Sequence, residues 1–199
     1  DADMSKVSWK YDENERLLLL DGEGEGKLDW DKEDDGTRSY RLPGAGFTPP
    51  DELRRPKEQD QAAPWMTEDY PIFSCWVTNV KLPPLQDKAW DYVSRGVNRQ
   101  LGGVHYARIA GLERGVMHTV MSKQTLEPEI TADEAKELND ALSGFDNKIS
   151  FVYQIPKGQR LSNTIPDALA SFLAALSDVD WTQPRNPCVM PLPPVRAAR

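Results

Sequence analysis

The chemistry open to this chain is limited by its two histidines, His105 and His118, because metal sites and nucleophilic catalysis most often use histidine. Both lie in a segment whose pattern predicts one β-hairpin. In one possible register the two side chains point to opposite faces of the sheet; in the other they share a face but stand roughly 13 Å apart. Neither arrangement lets them bind one ion, and His105 is best explained as a sheet residue with a local hydrogen bond.

The two cysteines, Cys75 and Cys188, lie in different settings. Cys75 alternates into the apolar face of a predicted strand, which favours an inert core thiol over a nucleophile. Cys188 lies in a proline-rich tail. We therefore expect no disulfide framework, a reducing compartment and a cytoplasmic location.

Carboxylates are abundant, and one acidic run has the alternation of a calcium-binding loop: Asp29, Asp31, Glu33 and Asp35. An EF-hand loop that starts at Asp29 needs Gly at its sixth position and Glu at its twelfth, where this chain has Asp34 and Tyr40. A solvated hairpin is therefore favoured, and we expect no metal and no cofactor. Hydrolysis or group transfer by paired carboxylates stays open, although the sequence singles out no pair.

The charge is unevenly distributed along the 199 residues, whose formal net charge is −8. Residues 1–71 carry −9, residues 72–156 carry −1 and residues 157–199 carry +2. The acidic excess repels phosphate backbones and attracts basic proteins, so we expect a protein partner with a basic surface. The longest apolar runs fall far short of the roughly 18 residues that span a bilayer, and we expect no membrane contact.

The elements that must position these residues follow the order strand, helix, strand, strand, helix, strand between residues 72 and 155. Strands are expected at 73–80, 104–110, 116–122 and 148–155. The helix over 86–101 rests on apolar residues at spacing four and on two following glycines: Ala89, Val93, Val97, Leu101, Gly102 and Gly103. The second helix rests on a capping box at Thr131 and Glu134. This order predicts an α+β, ferredoxin-like βαββαβ core: an antiparallel sheet with two helices on one face.

Part of this core resembles the RNA recognition motif family. Residues 75–80, Cys-Trp-Val-Thr-Asn-Val, are similar to the family's first signature strand, and Arg114-Gly115 opens the third strand as its second signature does. The resemblance implies single-stranded RNA binding on the sheet through four residues: Trp76, Arg114, Val116 and His118. The second signature's three aromatics are replaced by Val116, His118 and Met121, which leaves Trp76 as the one stacking platform and implies weak binding.

Four regions are predicted along the chain. Residues 1–42 form an acidic β-hairpin region with strands at 6–11 and 16–21, in which the leucines at 17–20 form a short buried run. Residues 43–71 are a Pro-rich polar linker. Residues 72–179 hold the ferredoxin-like core and a C-terminal helix, and residues 180–199 form an extended Pro-rich tail.

The tail offers a second binding element because apolar side chains alternate with its prolines. Trp181 is the expected anchor for a partner, followed by Val189, Met190 and Leu192. The sequence favours a non-catalytic role over an enzymatic one: a protein-binding subunit or adaptor of a larger assembly, of undetermined oligomeric state. The alternatives are weak single-stranded RNA binding and a small acidic inhibitor or immunity protein.

Overall fold

The computed structural model describes residues 2–14, 16–27, 30–32, 37–42, 46–67, 70–94, 96–145, 151–159 and 161. It divides into two compact units, Asp1–Tyr40 and Arg41–Arg199. The predicted C-terminal helix and the tail, with Trp181, Val189, Met190 and Leu192, lie outside the described residues.

The first unit is dominated by a long antiparallel ribbon of β1 (Ala2–Asp12) and β2 (Leu17–Gly26). Two short strands, β3 (Asp31–Lys32) and β4 (Arg38–Arg41), form a second hairpin. The predicted N-terminal hairpin is therefore confirmed, and its strands are longer than expected. The expectation that the leucines at 17–20 are buried is wrong, because Leu18 and Leu20 are 60% and 70% exposed.

The second unit contains the other strands and one described α-helix. In chain order these are β5 (Trp65–Met66), β6 (Phe73–Lys81), β7 (Lys88–Val93), β8 (Val97–Leu101), β9 (Val104–Glu113), β10 (Val116–Thr125), β11 (Glu129–Ile130), α1 (Ala132–Ala141) and β12 (Phe151–Pro156). The main sheet is antiparallel, with strand order β6-β10-β9-β8. β5 pairs with β11, and β7 pairs with β12.

The ferredoxin-like prediction is wrong, because the segment assigned to its first helix forms β7 and β8. Apolar residues at spacing four fit about one helical turn, but they fit two repeats of a strand equally well. Gly102 and Gly103, read as a helix stop, form the two-residue turn of the β8–β9 hairpin with φ of +57° and +73°. The described part of the chain has one α-helix and is mostly β, so the two-helix layer is not formed.

Three local predictions are confirmed. β6 follows the strand predicted at 73–80, and β9 and β10 form the predicted hairpin, closed by Arg114 and Gly115. The capping box opens α1, where the Glu134 backbone N–H donates to Thr131 Oγ1 at 3.2 Å. In return the Thr131 backbone N–H donates to Glu134 Oε2 at 2.7 Å.

One buried hydrophobic cluster of the second unit lies between α1 and the β8–β9 side of the main sheet. Its buried members are Leu101, Val104, Tyr106, Leu138 and Phe145. The ring of Tyr106 contacts Phe47 and Phe145 edge-on, with centroid distances of 5.3 and 5.0 Å. Such edge-to-face contacts stabilise a core beyond the burial of the rings.

Part of the predicted linker is packed against this core. The Leu53 backbone N–H donates to Asn139 Oδ1 at 2.9 Å, and Asn139 Nδ2 donates to the Leu53 carbonyl at 2.8 Å. Arg55 lies 4.1 Å from the centroid of the Trp65 ring and donates to the Asp60 carbonyl at 3.0 Å. Residues around Leu53 are therefore tied to α1.

Candidate functional site

The four residues expected to bind RNA are not brought together on one face. Trp76 lies opposite Met121, whereas His118 lies opposite Asn79. Trp76 and Asn79 are separated along β6 by an odd number of positions. Since successive strand residues face opposite sides, Trp76 points away from the face that carries Val116 and His118. Arg114 occupies the β9–β10 turn, where its Nε is 3.6 Å from Glu113 Oε1. RNA binding stays a prediction, without a shared surface for these four side chains.

The two histidines share a sheet face, but in a register that the sequence did not suggest. His105 lies opposite Gln124, so it is six positions along β10 from His118, roughly 20 Å. His105 Nε2 is 2.8 Å from Asn98 Oδ1, and His118 Nδ1 is 2.7 Å from Asn79 Oδ1. Burial lowers the pKa of both histidines, which favours the neutral ring.

No metal site emerges among the described residues, where no three His, Cys, Asp or Glu side chains group closely enough to hold an ion. Of the acidic run considered for calcium, Asp29, Glu33 and Asp35 lie outside the described residues.

Cys75 is disulfide-bonded, so the expectation of free, reduced cysteines is wrong. The chain's other cysteine, Cys188, lies outside the described residues.

The most distinctive surface lies on the N-terminal ribbon. Val7 pairs with Gly22, Trp9 with Leu20, and Tyr11 with Leu18. Directly opposed residues share a face, so the alternating apolar residues of β1 and β2 lie on the same side. We call this side the apolar ribbon face: Met4, Val7, Trp9, Tyr11, Leu18 and Leu20.

A β-bulge brings Met4 onto this face. The register shifts between Met4 and Lys6, and Ser5 is the extra residue, whose hydroxyl donates to the Glu23 carbonyl at 3.3 Å. Met4 lies over Gly22, where an added Cβ would stand 2.7 Å from Met4 Cε. The glycine thus leaves room for the methionine, and the apolar side chains continue along the ribbon.

The apolar ribbon face is widely exposed. Its side chains have exposed fractions between 51% and 72%, with Trp9 the most exposed. Taking roughly 200 Å² for the full surface of a large apolar side chain, the six present an area on the order of 700 Å². The largest apolar patch on a monomer is typically about 300–600 Å², while each side of a standard protein interface buries about 800 Å². The face is therefore close to the size of an interface.

The opposite side of the ribbon carries the charges. Lys6 lies opposite Glu23, and Ser8 opposite Asp21. Residues 1–26 hold eight Asp or Glu and three Lys or Arg, for a net charge of −5. No residue of the apolar ribbon face is charged. Water therefore solvates this face poorly, although the ribbon as a whole is strongly acidic.

Sequence reasoning found the ribbon's strands but not its exposed face. The alternation of Val7, Trp9 and Tyr11 was visible in the sequence, but burial was expected only for the leucines at 17–20. This alternation could have identified the exposed face if it had been combined with the prediction of a two-stranded element, because a lone ribbon has no second layer to cover an apolar side.

Comparison of the chain with protein-family models, with curated proteins and with solved structures gave no significant match in any of the three. Among the described residues, no helix has the length and apolar character needed to cross a bilayer.

Proposed function

We propose that this protein is a non-catalytic binding subunit that recognises another protein through the apolar ribbon face. The observation that carries the proposal is the exposure of six large apolar side chains on one uncharged side of a two-stranded ribbon. An exposed apolar surface of this size is typical of an interaction site.

The residue types on the face support this role. Trp9 and Tyr11 belong to the residue types that most often dominate binding energy, and Leu18 and Leu20 surround them with apolar contact area. An isolated two-stranded ribbon is marginally stable in water. A partner that covers the apolar side of the ribbon would therefore form an interface with it and stabilise the ribbon at the same time.

The ribbon's charge separates this proposal from nucleic-acid binding. A net charge of −5 over residues 1–26 repels a phosphate backbone, and no lysine or arginine side chain lies on the apolar ribbon face. An acidic inhibitor or immunity protein is a specific form of the same proposal, since it also recognises a protein through a preformed surface.

The cytoplasmic location expected from reduced cysteines loses its basis, because Cys75 is disulfide-bonded. Disulfides persist mainly in oxidising environments. We therefore propose an oxidising compartment for this protein in place of the cytoplasm.

Leu20 and Leu19 offer a matched pair for testing the proposed function. They are neighbours on β2, but Leu20 lies on the apolar ribbon face and Leu19 on the opposite one. Tagged wild-type, Leu20→Ser and Leu19→Ser proteins would be used to capture partners from the native host, and each partner would be purified and titrated against all three. We expect Leu20→Ser to weaken the reconstituted complex roughly tenfold or more and Leu19→Ser to leave it nearly unchanged. Equal affinity of all three proteins for every partner would contradict the proposal.

A further inference from the structure

The outer edge of β2 is open in the part of the chain that the structure describes, where β2 is paired with β1 alone. Such an edge presents backbone N–H and C=O groups at every second residue, which form a template for another strand. β2 is ten residues long, and it contains no proline to interrupt pairing.

The two edges of the ribbon differ in charge. β1 carries Lys6 and Lys10, and lysines are a common protection of edge strands against unwanted pairing. β2 has no lysine or arginine, and its charged residues alternate with glycines as Asp21, Glu23 and Glu25. The three carboxylates point to the face opposite Leu18 and Leu20. The edge of β2 therefore carries leucines on both faces over residues 17–20 and carboxylates on one face over residues 21–25.

We propose that the β2 edge binds an extended basic segment of a partner protein by β-strand addition. Apolar side chains at every second position of that segment would extend the apolar ribbon face beside Leu18 and Leu20. The intervening lysines or arginines would lie beside Asp21, Glu23 and Glu25, where opposite charges on neighbouring strands attract. This inference rests on the proposed function, because it uses the same ribbon face and names the kind of partner.

A second copy of the chain fits this edge poorly. Pairing two β2 edges would place two rows of carboxylates on strands about 4.8 Å apart, and like charges in that position repel. A nucleic acid is repelled by the same carboxylates. Charge complementarity thus selects a basic polypeptide.

Three synthetic peptides of the same length as β2 would test the inference. The first alternates Lys with Val, and the second alternates Glu with Val. The third has the Lys-Val sequence with N-methylated central residues, which keeps the charge but removes the backbone donors. Binding of each labelled peptide to the full chain would be measured by fluorescence anisotropy at low and high salt.

We expect the Lys-Val peptide to bind at least tenfold more tightly than the Glu-Val peptide at low salt, with a smaller difference at high salt. The N-methylated peptide should lose most of its binding.

The variant Asp21→Asn/Glu23→Gln/Glu25→Gln should lose the preference for lysine. A control with the same charge change at exposed carboxylates of the second unit, Glu58→Gln/Glu127→Gln/Glu137→Gln, should keep it.

The outcomes that overturn the inference differ from those that overturn the proposed function. Undiminished binding of the N-methylated peptide excludes strand addition, and equal binding of the Lys-Val and Glu-Val peptides excludes a basic segment. In both cases weaker binding by Leu20→Ser would leave the proposed function standing. If Leu20→Ser weakens no binding, the apolar ribbon face is not used and both proposals fail. Sedimentation velocity should find a monomer, and a dimer that tightens as salt is raised would overturn the inference in favour of a second copy.

Discussion

Trp9 and Leu20 lie directly opposite each other on the two strands of the N-terminal ribbon, with side chains that are 72% and 70% exposed. A cross-strand pair of this kind normally forms part of a core, since both residues belong to the types that are most often buried or at interfaces. Here the pair lies at the centre of an uncharged face in an acidic unit. That relationship points to recognition of another protein.

The exposed and buried apolar residues should differ sharply in their effect on stability. Leu20→Ala should change the free energy of unfolding by less than about 0.5 kcal/mol, because the side chain is largely in water already. Met117→Ala should cost about 2–5 kcal/mol, because Met117 is completely buried in β10 and its truncation leaves a cavity. Urea unfolding of both variants checks this, and similar losses would contradict the assignment of Leu20 to an exposed face.

The amide of Asn139 should contribute to stability through its two hydrogen bonds with the Leu53 backbone. Asn139→Ala should lower the free energy of unfolding by about 1–3 kcal/mol, since both backbone groups of Leu53 lose a partner in a partly buried site. The control is Asp140→Ala on the same helix, which removes the exposed pair between Asp140 and Lys136 and should have no measurable effect. If the two variants are equally stable, the contact of Leu53 with α1 is not formed in solution.

Stability should fall as the solution is acidified below pH 6.5. Burial lowers the pKa of His105 and His118 in the folded protein, so the unfolded chain binds more protons at mildly acidic pH. Their contribution is fully present above the unfolded value of about 6.5, and it is lost as the pH decreases through the folded values. Urea midpoints at pH 7.5 and about 5 would measure the loss. His118→Gln should reduce the difference between the two midpoints, and an unchanged difference in both the His118 and the His105 variant would contradict this assignment.

Reduction should destabilise the protein, because Cys75 is disulfide-bonded. A disulfide typically contributes about 2–4 kcal/mol, mainly by restricting the unfolded chain. Thermal unfolding with and without a reductant measures the effect, and Cys75→Ser should abolish the response to the reductant. Peptide mapping without reduction should recover Cys75 in a disulfide. Recovery of a free Cys75 thiol from protein purified under oxidising conditions would contradict the prediction.

Local patterns in the sequence determined several elements. The alternation in residues 73–80, the capping box at Thr131 and the two N-terminal strands each specify a conformation through neighbouring residues alone. The faces of β6 also follow from alternation, since Cys75 and Trp76 necessarily point to opposite sides. These features were predicted because they require no knowledge of distant contacts.

The tertiary structure decided what those patterns left ambiguous. Apolar residues at spacing four satisfy a helix and a strand alike, and pairing of β8 with β9 and of β7 with β12 selected strands over residues 88–93 and 97–101. The register of the β9–β10 hairpin decided which residues face His118. For the ribbon, the sequence determined which residues share a face, but whether that face is buried depends on a covering layer. The apolar character of a side chain indicates that removing it from water is favourable in free energy. Only the fold shows whether residues of this chain itself cover that side chain.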